Sequence, residues 1–366
     1  MSKNKIFNLV LLSLILIFFY LMYGLYGIYD IKKNKNLLFL SKKNFEFHKR
    51  YSKKLHHLRD TNRWGKNDNE YLFSFITQNK NPIRTILFQG DSWIESISEI
   101  NSSKKLINEF GKKNNFNIIN AGITSYAPSP MNIQYQILKE DFQIKPDILV
   151  VYIDQTDLGD EYCRYKHNKV YSSDGIFLRI KNENFNKAIY DYTKIYEYSY
   201  LKFKGKGAII LQYPVIKIRY FLKRNFNQLN HILNFGYSQR NIRECSFKYI
   251  QKELIEKNEE SIKNFKISLN EYLKYLENET YIKKILIVSF PHKNHYKKIY
   301  KINISNLIDD HLQISRDERI SHLNMSKIYS SIDSPDRIYK KDLASHLKDE
   351  FHTNIFLKKI LEKLDN

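Results

Sequence analysis

Cysteine is scarce. The chain holds two, Cys163 and Cys245, in 366 residues, and they fit neither a zinc pattern nor a disulfide framework. They can pair only if the fold brings them together, so the sequence leaves the redox compartment open. Glycine-rich phosphate loops and the dinucleotide fingerprint are also lacking. Asp154, Asp157, Asp160 and Glu161 lack calcium-loop spacing, and His292 and His295 have no third ligand nearby. The plainer readings are strand-end carboxylates and loop histidines, so neither a metal nor a cofactor is expected. Acidic residues are outnumbered, 39 against 60 Lys plus Arg, giving a formal net charge of +21. Such an excess attracts anionic partners. Here the lysines are spread along the whole length and no nucleic-acid-binding signature accompanies them. The excess therefore reads as compositional, with no nucleic acid as partner.

One long apolar run is present. Residues 7–28 carry no charge and are almost all apolar or aromatic. At about 1.5 Å per residue they span roughly 33 Å, the thickness of a bilayer core. Tyr20, Tyr23, Tyr26 and Tyr29 gather at one end, as an interfacial belt would. A cleavable signal has a shorter apolar region and a small-residue cleavage site. The run therefore predicts an uncleaved transmembrane anchor within residues 1–29, with the lipid bilayer as partner. Lys32, Lys33 and Lys35 behind it favour a cytoplasmic C-terminal domain. The short basic N-terminal tail is that of an ordinary signal anchor. With lysine abundant everywhere, the expectation is a single-pass protein whose main domain is extracytoplasmic. Residues 30–82 form a basic juxtamembrane region, either a solvated spacer or a segment lying on anionic lipid.

From residue 84 the pattern alternates between strand and helix. Apolar runs at 85–88, 117–119, 148–153 and 285–290 read as strands, with a fifth at about 323–328. Residues 93–113, 131–142, 259–276 and 353–364 read as helices. Uninterrupted apolar strands indicate burial on both faces. The expected fold is α/β: a mostly parallel sheet flanked by helices, flavodoxin-like and three-layered, over residues 83–366. An insertion at about 160–281 interrupts it. Its stretch 208–226 mixes apolar residues with Lys and Arg. It reads as ordinary subdomain packing or as a membrane-facing or substrate-covering element.

In open parallel sheets ligands bind at the C-terminal ends of strands. Gly90-Asp91-Ser92, Asn120 to Ser125 and Asp154 to Asp157 fall at such ends, and Asp349 and His352 open the last helix. A serine at a helix N-terminus has amides and the positive end of the helix dipole beside it. Its plain alternative is an N-cap. A carboxylate three residues before a histidine can fix the imidazole tautomer that a serine nucleophile needs. Its plain alternative is a capping Asp beside a surface His.

Taken together, these blocks resemble the GDSL/SGNH hydrolase superfamily over residues 84–159 and 285–366. The resemblance implies a serine esterase or a related O-acyltransferase. Ser92 would be nucleophile, His352 base and Asp349 its orienting acid. The oxyanion donors would come from Ser92, Ser125 and Thr156. Ser125 stands where the family has glycine, and Thr156 where it has asparagine. The resemblance and the anchor together imply an acyl-ester substrate on a surface glycan. A catalytically inactive scaffold of the same fold is the alternative that Thr156 favours.

Overall fold

A computed structural model describes residues 3–34, 47, 50–51, 53–59, 68–181, 210–211, 213–215, 218, 259–296, 302–313, 317–326, 337–341 and 346–365. The chain divides into two compact units, residues 1–49 with 184–239, and residues 50–183 with 240–366.

The second unit is built on a six-stranded sheet. Its strands are β1 (Ser74–Thr77), β2 (Arg84–Gln89), β3 (Phe116–Asn120), β4 (Ile148–Ile153), β7 (Lys284–Ser289) and β8 (Ile320–Asn324), in the order β1-β3-β2-β4-β7-β8. Strands β5 (Lys169–Tyr171) and β6 (Phe177–Ile180) form a separate antiparallel hairpin. All neighbours in the large sheet are parallel except β1 with β3. Counted along the chain, the five parallel strands run 2-1-3-4-5, the flavodoxin-like order. The chain reverses direction across the sheet between β2 and β4, and the crevice outside their carboxyl ends is where such folds bind ligands.

The apolar strands are buried on both faces, as their composition requires. Phe88, Val150, Tyr152 and Val288 face one core together with Trp93 and Phe356. Leu87, Leu149, Val151 and Ile287 alternate with them and are equally buried. The helices Asn101–Lys113 and Lys358–Asp365 cover the first face. The helices Pro128–Phe142 and Glu259–Glu277 pack on each other elsewhere in the unit.

Five details depart from the sequence reading. The helix expected over 93–113 is two, Ser92–Glu99 and Asn101–Lys113, separated by Ile100 in an extended conformation. The fifth strand is displaced to Ile320–Asn324. The last helix contains a π-turn at His352–Leu357. The domain boundary expected at 82–83 lies near residue 50, because β1 joins the sheet and Tyr51, Leu55, His56, His57 and Arg59 are buried. Within the supposed spacer, Tyr51, Leu55, Leu58, Leu72 and Phe73 are core residues. The insertion is also narrower than 160–281: residues 160–183 and 240–281 belong to the sheet unit, and 184–239 to the other.

In the first unit, a single helix runs Lys3–Asn34. Its stretch Lys5–Tyr29 is long and apolar enough to cross a membrane. Leu12, Leu16 and Phe19 along it are exposed.

Candidate active site

Ser92 is the first residue of the helix that follows β2. Asp91 is that helix's N-cap and accepts from the Trp93 amide at 2.9 Å. Capping therefore falls to Asp91, and the Ser92 side chain is left for another partner. Gly90 is needed because a Cβ there would stand 2.6 Å from Ile94 Cγ1 and 2.9 Å from Tyr152 Cβ. The partner of Ser92 is His346: its Nε2 lies 2.6 Å from Ser92 Oγ. His346 is fixed by a short antiparallel contact. Its carbonyl accepts from Lys340 N at 2.7 Å, Tyr339 bridges Leu347, and Lys348 N donates to Ile338 O at 2.8 Å.

His352, the base expected from sequence, is held elsewhere. It is buried, with Nδ1 2.9 Å from Ser103 Oγ and Nε2 2.9 Å from the Trp93 carbonyl. A carbonyl only accepts, so Nε2 carries the proton and Nδ1 accepts from the serine. Burial pushes its pKa down to about 4, against the smaller opposing effect of the Trp93 carbonyl. Both nitrogens are committed, and the expected Ser92–His352 hydrogen bond is not formed. His352 instead braces the backbone of the residue next to Ser92. Asp349 departs likewise: its carboxylate is 61% exposed and pairs with Lys340 Nζ at 2.8 Å.

The oxyanion donors divide. The Ser92 amide, at a helix N-terminus, has no intrahelical acceptor. Ser125 has φ 64°, the left-handed region, at the position where a glycine was expected. An L-residue there costs about 1 kcal/mol or more. Among the described residues nothing accepts from the Ser125 amide. The loop carrying it is fastened to the Ser92 helix. Ile123 N donates to Gly90 O at 3.0 Å, and Thr124 N donates to Glu95 Oε2 at 2.6 Å. From the other side Arg59, wholly buried, donates to the carbonyls of Gly122 at 2.7 Å and Asn120 at 2.8 Å. His57 Nε2 donates to the Thr124 carbonyl at 2.6 Å. Nothing in the sequence marks Arg59 or His57 for this work. Thr156 does not match its expected role: its hydroxyl donates to Asp154 Oδ2 at 2.8 Å.

The carboxylates after β4 are more buried than strand-end residues ordinarily are. Asp154, Asp157, Asp160 and Glu161 are all buried, as is Asp91. Burial raises the pKa of Asp91, with Asp154 adding to it. Asp157 is raised by burial and then by Asp91. Asp154 is raised by burial too, while its hydrogen bonds and then the charge of His346 pull the other way. An acidic group thus sits within electrostatic reach of the histidine that faces Ser92. No cluster of metal-ligating side chains occurs among the described residues.

A Ser-His-Asp chain is formed by Ser289 at the end of β7, His322 on β8 and Asp309. His322 Nε2 is 2.8 Å from Ser289 Oγ, and its Nδ1 is 2.5 Å from Asp309 Oδ1. Ser289 is 0% exposed, and its hydroxyl is shared with Ser305 at 2.8 Å. A nucleophile must be reached by its substrate. Ser92 is half-buried and Ser289 is sealed, so exposure selects Ser92.

No family model and no curated protein matches the chain. Among solved structures, a catalytic mutant of an acetylxylan esterase from Geobacillus stearothermophilus is 9% identical, with 79% of this chain and 97% of that chain covered at a TM-score of 0.39. An acetyl xylan esterase from the rumen bacterium Butyrivibrio proteoclasticus is 10% identical, with 79% and 64% covered at 0.36. Likeness at this level leaves the functional reading to the geometry of the site.

Proposed function

We propose that the chain is a membrane-anchored serine esterase or O-acyltransferase in which Ser92 is the nucleophile and His346, not His352, is the base. The observation that carries this is the 2.6 Å contact between Ser92 Oγ and His346 Nε2, at a helix N-terminus beside the switch point of the sheet. Ser92 Oγ attacks the acyl carbonyl as its proton passes to His346 Nε2. The amides of Ser92 and Ser125 hold the oxyanion. When the tetrahedral intermediate collapses, the C–O bond to the alcohol breaks and His346 returns its proton to that alcohol. Water then completes hydrolysis, or a second hydroxyl completes transfer. The resemblance and the anchor favour an acyl ester on a surface glycan. Residues 1–29 serve as anchor, with the sheet unit extracytoplasmic.

A second reading, an inactive scaffold of the same fold, is favoured by Thr156, whose hydroxyl is spent on Asp154. A fluorophosphonate probe separates the two. The enzyme reading expects covalent labelling of the full chain that disappears in Ser92→Ala. Absence of labelling in the wild-type chain would leave the scaffold.

A further inference from the structure

The apolar helix Lys3–Asn34 is not smooth. Gly24 and Gly27 near its end are buried, whereas Leu21, Met22, Leu25 and Tyr26 around them are exposed. What covers the glycines is a helical piece of the 184–239 segment, in the same compact unit. A Cβ at Gly24 would stand 2.0 Å from the Ile210 carbonyl oxygen, and one at Gly27 would stand 2.3 Å from Tyr213 Cγ. The Tyr23 and Tyr213 rings meet edge-on with centroids 5.5 Å apart, and Tyr20 donates its hydroxyl to the Leu211 carbonyl. Only glycine permits the approach of the Ile210 backbone at position 24 and of the Tyr213 side chain at position 27, the device by which helices associate in lipid.

The piece has a second face. Ile210, Leu211, Tyr213, Pro214, Val215 and Ile218 are helical. Tyr213 is buried against the anchor. Leu211, Val215 and Ile218, at i, i+4 and i+7, are 55%, 52% and 51% exposed. Three large aliphatic side chains in a row would be poorly placed in water. Leu12, Leu16 and Phe19 of the anchor, in the same compact unit, are exposed likewise.

Depth follows from the helix rise. The apolar span ends at Tyr29, and Gly24 and Gly27 lie five and two residues inside it. At about 1.5 Å per residue, the contact sits roughly 3 to 8 Å below the end of the span. Interfacial helices lie about 5–10 Å into the headgroup boundary. The charge agrees: residues 202–224 contain seven Lys or Arg and no Asp or Glu. Such an excess of Lys and Arg in the sequence draws a segment to anionic headgroups.

We infer that the stretch containing residues 210–218 is a second membrane element. It lies in the interface of a bilayer containing anionic phospholipid, packed on Gly24 and Gly27, with Leu211, Val215 and Ile218 among the acyl chains. The insertion is thereby held at the membrane surface at two points, its own helix and the anchor.

The test uses the full chain in vesicles of phosphatidylcholine and phosphatidylglycerol. An environment-sensitive nitrobenzoxadiazole label is attached at Leu211→Cys, Val215→Cys or Ile218→Cys. Leu12→Cys marks the span and Lys112→Cys, on an exposed helix, marks water. The expected result is blue-shifted emission at the three positions, quenched most by lipids carrying a nitroxide near the top of the acyl chain. Adding Gly24→Leu should abolish quenching at Leu211 and spare it at Leu12. Emission at all three positions matching that at Lys112 would overturn the inference. So would quenching at Leu211 that Gly24→Leu leaves unchanged. Water-like emission at Leu12 would overturn the anchor reading along with it.

Discussion

The assignment of His346 over His352 can be decided by treating the two histidines alike. His346→Gln removes the only group within hydrogen-bond distance of Ser92 Oγ among the described side chains. Loss of the histidine from a serine triad costs on the order of 10⁴-fold or more in rate. Because His346 is half-buried, the change should cost little stability. His352 is the reverse case. Replacing it with alanine empties a buried site, takes the Nδ1 partner from Ser103, which keeps Thr353 Oγ1 at 2.8 Å, and removes a donor from the Trp93 carbonyl. Deleting a buried, hydrogen-bonded side chain costs about 1–3 kcal/mol, a large part of a typical stability of about 5–15 kcal/mol. His352→Ala is therefore expected to lose fold and activity together, which by itself would mimic a catalytic defect. His352→Gln avoids this, since an amide can donate to the carbonyl and accept from the serine, as the imidazole does. The assay is the rate of fluorophosphonate labelling beside the urea midpoint. Wild-type stability with labelling abolished is expected for His346→Gln. Near-wild-type labelling is expected for His352→Gln. A folded His352→Gln chain that fails to label, beside a His346→Gln chain that labels normally, would refute the reasoning.

Three other outcomes follow from the geometry. Thr156→Val should leave the labelling rate within a few-fold while lowering stability by about 1–3 kcal/mol, since it deprives Asp154 of a donor; a loss of about 100-fold at unchanged stability would make Thr156 an oxyanion donor after all. Ser289→Ala should not alter labelling, because Ser289 is sealed; a labelled peptide containing Ser289 would contradict this. Burial holds His57 and His352 each down to about 4, below the ordinary 6.5. Between those values each binds fewer protons in the folded chain than in the unfolded one, so its contribution to stability is full above about pH 6.5 and drains as pH falls towards 4, by up to about 3 kcal/mol; the raised carboxyls of Asp91, Asp154 and Asp157 run the other way. The stability of the wild-type chain relative to His352→Gln should therefore fall from about pH 7.5 to pH 5, and an unchanged difference in urea midpoint would count against a neutral buried His352.

The fold was legible where burial on both faces forces composition. The run Ile148-Leu-Val-Val-Tyr-Ile153 admits little but a central parallel strand, and its neighbours at 86–88 and 285–288 share its character. The edge was not legible. Ser74-Phe-Ile-Thr77 is four residues long, with Phe75 exposed, so no period stands out. The segment before it misled for a different reason. Lysines at 42, 43, 49, 53 and 54 gave it a solvated appearance, yet Tyr51, Leu55 and Leu58 are buried among them. Arg59 is there too, its charge answered by backbone carbonyls that no sequence pattern announces.

The site divides along the same line. A residue directly after a central strand has its position fixed by topology, so the order of elements sufficed to place Ser92 at the start of the helix that follows β2. A residue on an irregular segment has no such constraint. Between His346 and His352, the sequence offered Asp349 three residues before the latter, the spacing the resemblance asks for. Asp342, four residues before His346 and outside the described residues, was the available counter-signal. What separates the two histidines is tertiary. The π-turn at His352–Leu357 sets His352 against Phe356, at 5.2 Å between ring centroids, and under Trp93. The pairing of residues 338–340 with 346–348 carries His346 to Ser92. Asp154 lies within electrostatic reach of the same histidine, whose charge favours the ionised carboxyl against the larger effect of burial. An imidazolium formed as Ser92 attacks would stand beside that buried acid, where charge is screened far less than in water. On the proposed mechanism Asp154 would serve His346 as an electrostatic partner, its carboxylate held by the Thr156 hydroxyl at 2.8 Å.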